Sequence, residues 1–133
     1  MNVIPDTCIW SESLRKRKGD PAVIQALRNL LLDERVEIIG PVRQEILSGI
    51  SATLLFESVK SKLCIFDDLP LRTIHFEMAA DFSNQCRRAG IQGSPADFLI
   101  CAASKLSQLS IFTTDADFLR FEKILGLNLY EIP

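Results

Sequence analysis

Four acidic residues stand where chemistry is most easily built. Asp6 follows the apolar run Val3-Ile4-Pro5, and Asp115 follows Ile111-Phe112-Thr113-Thr114. Each marks the carboxyl end of a short buried strand, the edge at which open α/β sheets hold ligands. Asp97 is the third residue of a helix opened by Ser94 and Pro95, and Glu45 lies in the helix that Pro41 begins. Four carboxylates held within ~5 Å of one another repel by roughly 3 kcal/mol per pair at an effective dielectric near 20. Such a group must take up protons or a cation. Oxygen ligands without His or Cys select hard ions, so magnesium or manganese is expected. An ion held this way keeps several waters and favours phosphate oxygens, which points to metal-assisted phosphodiester hydrolysis. No residue of the set reads as a covalent nucleophile, because carboxylates around Cys8 would raise its pKa rather than activate it.

Each acid also has an ordinary structural role. Asp97 sits where a carboxylate reaches back to the N-cap amide, and capping and metal binding are equally open for it. Asp115 is placed to cap the helix that follows. Glu45 shares its helix edge with Val42 and Gly49, and the alternative is an exposed glutamate paired with a nearby arginine. Small Gly49 one turn on leaves room for something to approach. Thr7 is placed either to orient Asp6 or to touch a metal-bound water. The run Arg15-Lys16-Arg17-Lys18 reads as a solvated loop or as a basic loop that grips a phosphate backbone.

The elements that must position these residues follow from periodicity. Asn2 to Ile4 reads as a central strand of a parallel sheet, apolar without alternation. Residues 11–20 are polar. Asp20-Pro21 starts a helix carried by Val23, Ile24, Leu27, Leu30 and Leu31, and Val36 to Ile39 is the next strand. Helices are predicted over 42–50, 52–63, 73–89 and 116–125, with a short strand at Cys64-Ile65-Phe66 and solvated acids at Asp67-Asp68. The helix from Ser94 to Ser104 is apolar nearly all round, which implies burial. Ser110 to Thr113 is a strand, and Leu127 to Ile132 an edge strand. Pro5 stands out, since it removes a ladder donor just before Asp6. The region Gly90 to Ser94 has no basic residue of its own.

At 133 residues, with 47% hydrophobic and 24% charged, the chain reads as one globular domain, residues 1–133. Its apolar runs are too short to span a bilayer, and no leader marks export. Four scattered cysteines and a single histidine, His75, argue against a zinc or redox motif and for a reducing cytoplasm. The cysteines are expected to be small buried hydrophobes, and His75 a surface or partly packed residue rather than a ligand. The net charge is −2; four of the seventeen acids held around a metal would leave thirteen against fifteen basic residues. That permits a phosphate-rich partner without demanding one.

The set Val-Ile-Pro-Asp6-Thr-Cys-Ile-Trp, the helical Glu45, Ser-Pro-Ala-Asp97-Phe-Leu-Ile-Cys-Ala-Ala and Ile-Phe-Thr-Thr-Asp115-Ala-Asp-Phe runs in order over nearly the whole chain. This set resembles the PIN-domain family, and the Asp-Thr-x-x-Trp start is similar to the VapC-type toxins of bacterial toxin–antitoxin pairs. The resemblance implies a three-layer α/β/α domain with a parallel sheet of four to five strands. It also implies a magnesium- or manganese-dependent endoribonuclease acting on RNA, dimeric and neutralised by a cognate antitoxin protein. Asp6, Glu45, Asp97 and Asp115 would then be the catalytic metal site, with Thr7 and Asp117 as outer members. RNA contacts would come from Arg15, Lys16, Arg17, Lys18 or Arg43.

Two other classes compete. An aspartyl-phosphate domain of phosphatase type needs a second aspartate where Cys8 stands, and the receiver type needs a lysine where Thr113-Thr114 stands. A catalytically inactive PIN-like binding module, with acids that merely cap helices, shares every motif but would not bind manganese.

Overall fold

The computed structural model describes residues 1–14 and 19–133. Arg15, Lys16, Arg17 and Lys18 lie outside the described residues. The order of elements is β1 (Val3–Pro5), α1 (Thr7–Leu14), α2 (Pro21–Leu32), α3 (Gly40–Ser48), α4 (Thr53–Leu63), α5 (Thr73–Arg88), α6 (Pro95–Ser107), β2 (Ser110–Phe112) and α7 (Asp117–Leu125).

β1 and β2 pair in parallel, with Val3 opposite Ser110, Ile4 opposite Ile111 and Pro5 opposite Phe112. Three single parallel bridges continue the sheet sideways: Val3 to Val36, Ile38 to Asp68, and Ile111 to Leu129. β1 is therefore central, as its apolar character demands. Of the four to five strands expected, the described residues form two regular ones. The expected strands at 36–39 and 127–132 shrink to bridges, and Cys64-Ile65-Phe66 is a turn and bend rather than a strand.

Pro5 gives part of the reason. In a parallel strand alternate residues face opposite neighbours. Val3 faces the 35–37 segment, donating to the Arg35 carbonyl at 2.7 Å and accepting from the Glu37 amide at 2.9 Å. Pro5, two residues on, faces the same way without an N–H, so that ladder ends after one bridge. The other edge is unaffected. The Asp6 amide donates to the Phe112 carbonyl at 2.8 Å, which ties the first acid to β2.

The chain turns into α1 immediately after Asp6, a helix the polar stretch from Ser11 onward conceals. Ile9 and Trp10 are buried by it, with the Trp10 ring edge-on to Phe66 at 5.5 Å between centroids. α6 runs through the middle of the molecule, and every residue from Phe98 to Ser104 is buried. Side chains such as Ile4, Ile100, Ile111 and Phe112 are almost wholly out of water, each contributing roughly 1.5–3 kcal/mol. Among the described residues no helix is long and apolar enough to cross a membrane.

Several local expectations are corrected. Asp68 is exposed as expected, yet it pairs with Arg43 at 2.9 Å. His75 is buried, and its Nδ1 accepts the Arg72 amide at 3.0 Å at the start of α5. Cys86 and Cys101 are buried, whereas Cys8 is half-buried and Cys64 exposed.

Candidate active site

Asp6 occupies the N-terminal end of α1, 6% exposed. Its Oδ1 accepts the Thr7 amide at 2.7 Å, and its Oδ2 accepts the Thr113 hydroxyl at 3.0 Å and the Cys8 thiol at 3.5 Å. The same Thr113 oxygen accepts the Asp115 amide at 3.0 Å. One hydroxyl at the end of β2 therefore fixes two of the four acids. Asp115 in turn accepts the Asp117 amide on Oδ1 at 2.9 Å, so it does cap the first turn of α7. The Thr7 hydroxyl donates to Glu45 Oε2 at 2.7 Å, which links α1 to α3.

Asp97 makes the capping box its spacing implies. Its Oδ2 accepts the Ser94 amide at 3.0 Å, while its own amide donates to Ser94 Oγ at 3.1 Å. That leaves Oδ1 without a hydrogen-bond partner among the described residues, so the cap engages one carboxylate oxygen.

Asp97 stands in the electrostatic field of its acidic neighbours. Burial pushes the Asp6 carboxyl above the usual carboxylate range and the Asp97 charge adds to it, while bonds from Thr113, Thr7 and Cys8 pull the other way. Asp97 is raised as well, first by burial and then by the charges of Asp115 and Glu45. Asp97 is thus the hub that senses all three partners. The thiol of Cys101, one turn further into α6, is pushed far upward by burial and then by Asp97, which makes it packing rather than chemistry.

The carboxylates share a field without closing into a cage. Among the described residues no group of three or more His, Cys, Asp or Glu is drawn together as a ready metal site. The threonine and amide contacts above hold each carboxylate in its place. As a donor set they still fit a hard divalent cation: oxygen only, with Asp6 buried, Asp97 half-buried and Glu45 and Asp115 open to solvent, and no arginine or lysine paired to any of them among the described residues. Beside them runs a groove of about 480 Å³, lined by Thr7, Gln44, Glu45, Ser48 and Ser94.

A family model of the PIN domain matches residues 3–124. The chain belongs to the PIN-domain family. This PIN domain is similar in fold to FitAcB from Neisseria gonorrhoeae, with a TM-score of 0.78, 19% identity, and coverage of 97% of this chain and 96% of that one. It is similar to VapBC2 from Rickettsia felis bound to a DNA fragment from their promoter, with a TM-score of 0.73, 19% identity and 98% of each chain covered. DNA-bound VapBC from Salmonella typhimurium gives a TM-score of 0.74 at 18% identity, covering 100% of this chain and 99% of that one. No curated protein matches the chain.

The PIN domain's remaining site residues divide. Asp117 pairs with Arg120 at 2.6 Å. The Arg43 guanidinium is fully engaged, donating to Asp68 and to the Leu63 and Phe66 carbonyls at 2.8–2.9 Å, so it clamps α3 to the end of α4. Neither the contact of Thr113 with Asp6 nor the position of Arg87 follows from the sequence pattern. Thr113 read as the end of a strand, although a hydroxyl two residues before Asp115 was the available signal. Arg87 read as a helix-end charge, and only folding sets it beside Gly93 and Pro95.

Proposed function

We propose that this PIN domain is a magnesium- or manganese-dependent endoribonuclease that hydrolyses RNA phosphodiesters, acting in the cytoplasm as the VapC-type toxin of a toxin–antitoxin pair. In this account it works as a homodimer around a parallel sheet of four to five strands and is held inactive by a cognate antitoxin protein. The observation that carries the proposal is the placement of Asp97, whose charge is felt by Asp6 and which itself feels Glu45 and Asp115. A structural cap needs one neighbour, the helix it caps. Carboxylates that face one another without a cationic partner suit a hard divalent cation.

Asp6, Glu45, Asp97 and Asp115 would hold that ion, with Thr7 and Asp117 outside them. When bound, the ion polarises the phosphoryl oxygen, lowers the pKa of the attacking water and steadies the leaving oxygen. The chain's own residues do the positioning. Thr113 keeps Asp6 Oδ2 and the Asp115 backbone in register, and Thr7 does the same for Glu45. Ser94 fixes one oxygen of Asp97 and leaves the other without a hydrogen-bond partner among the described residues. The basic run Arg15 to Lys18 supplies phosphate contacts.

A second reading has an observation of its own. Asp97 and Asp115 do cap α6 and α7, as they would in a binding module without catalysis. Thermal unfolding with added manganese separates the two. The nuclease gains stability by mass action at millimolar Mn²⁺, and Asp6→Asn loses the gain. A wild-type melting temperature indifferent to Mn²⁺ would exclude the metal site.

A further inference from the structure

A second cavity, about 360 Å³, opens between α5 and the start of α6. It meets the carboxylate groove at Pro95 and Leu99, which line both. From this cavity we infer that the protein has a nucleobase subsite, which takes a base of the RNA strand adjoining the phosphodiester held at the carboxylates. The inference deepens the nuclease proposal and rests on it for the identity of the strand.

The size lies at the small end of ligand pockets, suited to a flat ring rather than a folded partner. Phe76 on α5 stands at its wall 53% exposed, an aromatic face without a cover. Phe98, 2% exposed, is part of the lining and is locked against Phe121 with ring centroids 5.1 Å apart. Gly93 sets the depth: a Cβ there would lie 2.7 Å from the Phe121 ring and 3.1 Å from Phe98, so only glycine lets the 91–93 loop lie this close.

The polar edge completes the recognition. Ser83 and Arg87 lie on the lining, and the only side-chain bond Arg87 makes among the described residues is to Asn84 Oδ1 at 3.2 Å. No carboxylate pairs with it there. A guanidinium fork and a hydroxyl beside an exposed phenyl ring match a base with hydrogen-bonding edges and a π-face. An apolar protein segment would leave that fork unsatisfied. The cation also supplies the positive charge that the Gly90 to Ser94 region lacks in sequence.

The test compares binding of a fluorescein-labelled oligoribonucleotide of about twelve nucleotides with binding of an abasic ribose-phosphate chain of the same length. Phe76→Ala removes the stacking face, and Ala80→Trp, at an exposed position on the lining, fills the cavity without disturbing the core. The wild type is expected to bind the base-bearing strand about tenfold tighter than the abasic one, the scale of one base–aromatic stack. Both variants should lose that difference while binding the abasic chain as the wild type does. Equal preference in wild type and both variants would overturn the subsite. So would an Ala80→Trp protein that turns from dimer to monomer with its base preference intact, since the cavity would then be a subunit contact. Base-dependent binding by a wild type that cleaves nothing in Mn²⁺ would support the subsite and dismiss the nuclease, so the two claims fail separately.

Discussion

Asp97→Asn keeps an oxygen to accept the Ser94 amide and removes the charge that Asp6, Glu45 and Asp115 oppose. In the metal-free protein this substitution should be stabilising. Charges ~8 Å apart at an effective dielectric near 20 repel by about 2 kcal/mol per pair. Asp97 is only partly buried, so water and salt reduce the net gain to about 1–2 kcal/mol over its three partners. For a chain of this length that is a rise of roughly 4–8 °C in melting temperature. A carboxylate acting only as a helix cap gives the opposite sign, because the charge favours the helix N-terminus by about 0.3–1 kcal/mol. The assay is thermal unfolding at pH 7 in EDTA and again in Mn²⁺. Wild type should melt lower than Asp97→Asn in EDTA and higher in Mn²⁺. A variant that melts below wild type in EDTA would refute the idea that Asp97 is held against like charges.

Three further outcomes follow from the same geometry. Asp6 and Asp97 are raised in the folded state by burial and then by neighbouring carboxylates, so the folded chain holds more protons than the unfolded one between the ordinary and raised values. Their contribution to metal-free stability is therefore intact below about pH 4 and is lost as pH rises through the raised values; the stability difference between wild type and the Asp6→Asn/Asp97→Asn double variant, followed by urea unfolding, should widen with pH over that window. Thr113→Val removes the hydroxyl shared by Asp6 and the Asp115 amide and should weaken Mn²⁺ binding about tenfold by calorimetry, with unchanged affinity counting against the shared anchor. Arg43→Ala breaks the clamp between α3, Asp68 and the end of α4 and should cost about 2 kcal/mol in urea unfolding; a loss below about 0.5 kcal/mol would show the clamp to be idle.

How far the sequence reached depends on the kind of signal. α6 was legible to its first residue, because Ser94, Pro95 and Asp97 are a local code and the apolar run that follows has one explanation. α2 and α5 followed from Asp20-Pro21 and from the stripe ending at Cys86 for the same reason. α1 was hidden, since its start is set by Asp6 and its outer face is polar. The sheet was legible in part: β1 and β2 are regular strands, and the flanking segments join through single parallel bridges. Val36 to Ile39 has strand composition, but Pro5 opposite withholds a donor and Pro41 starts α3 at once. Asp6 and Asp115 at strand ends and Asp97 at a helix start were each legible from local pattern, and Glu45 sits inside α3. The tie between Asp6 and Asp115 through Thr113 and the engagement of Arg43 are long-range contacts, and no local pattern encodes them.

The central claim is that Asp6 and its three partners hold a divalent ion that cleaves RNA. The most direct measurement is cleavage of single-stranded RNA by wild type and by Asp6→Asn, side by side, in EDTA and in Mn²⁺, with both proteins shown folded by their melting curves. Wild type is expected to cleave only with Mn²⁺, and the variant in neither. A variant that cleaves at the wild-type rate, or a wild type that leaves RNA intact in Mn²⁺, would contradict it.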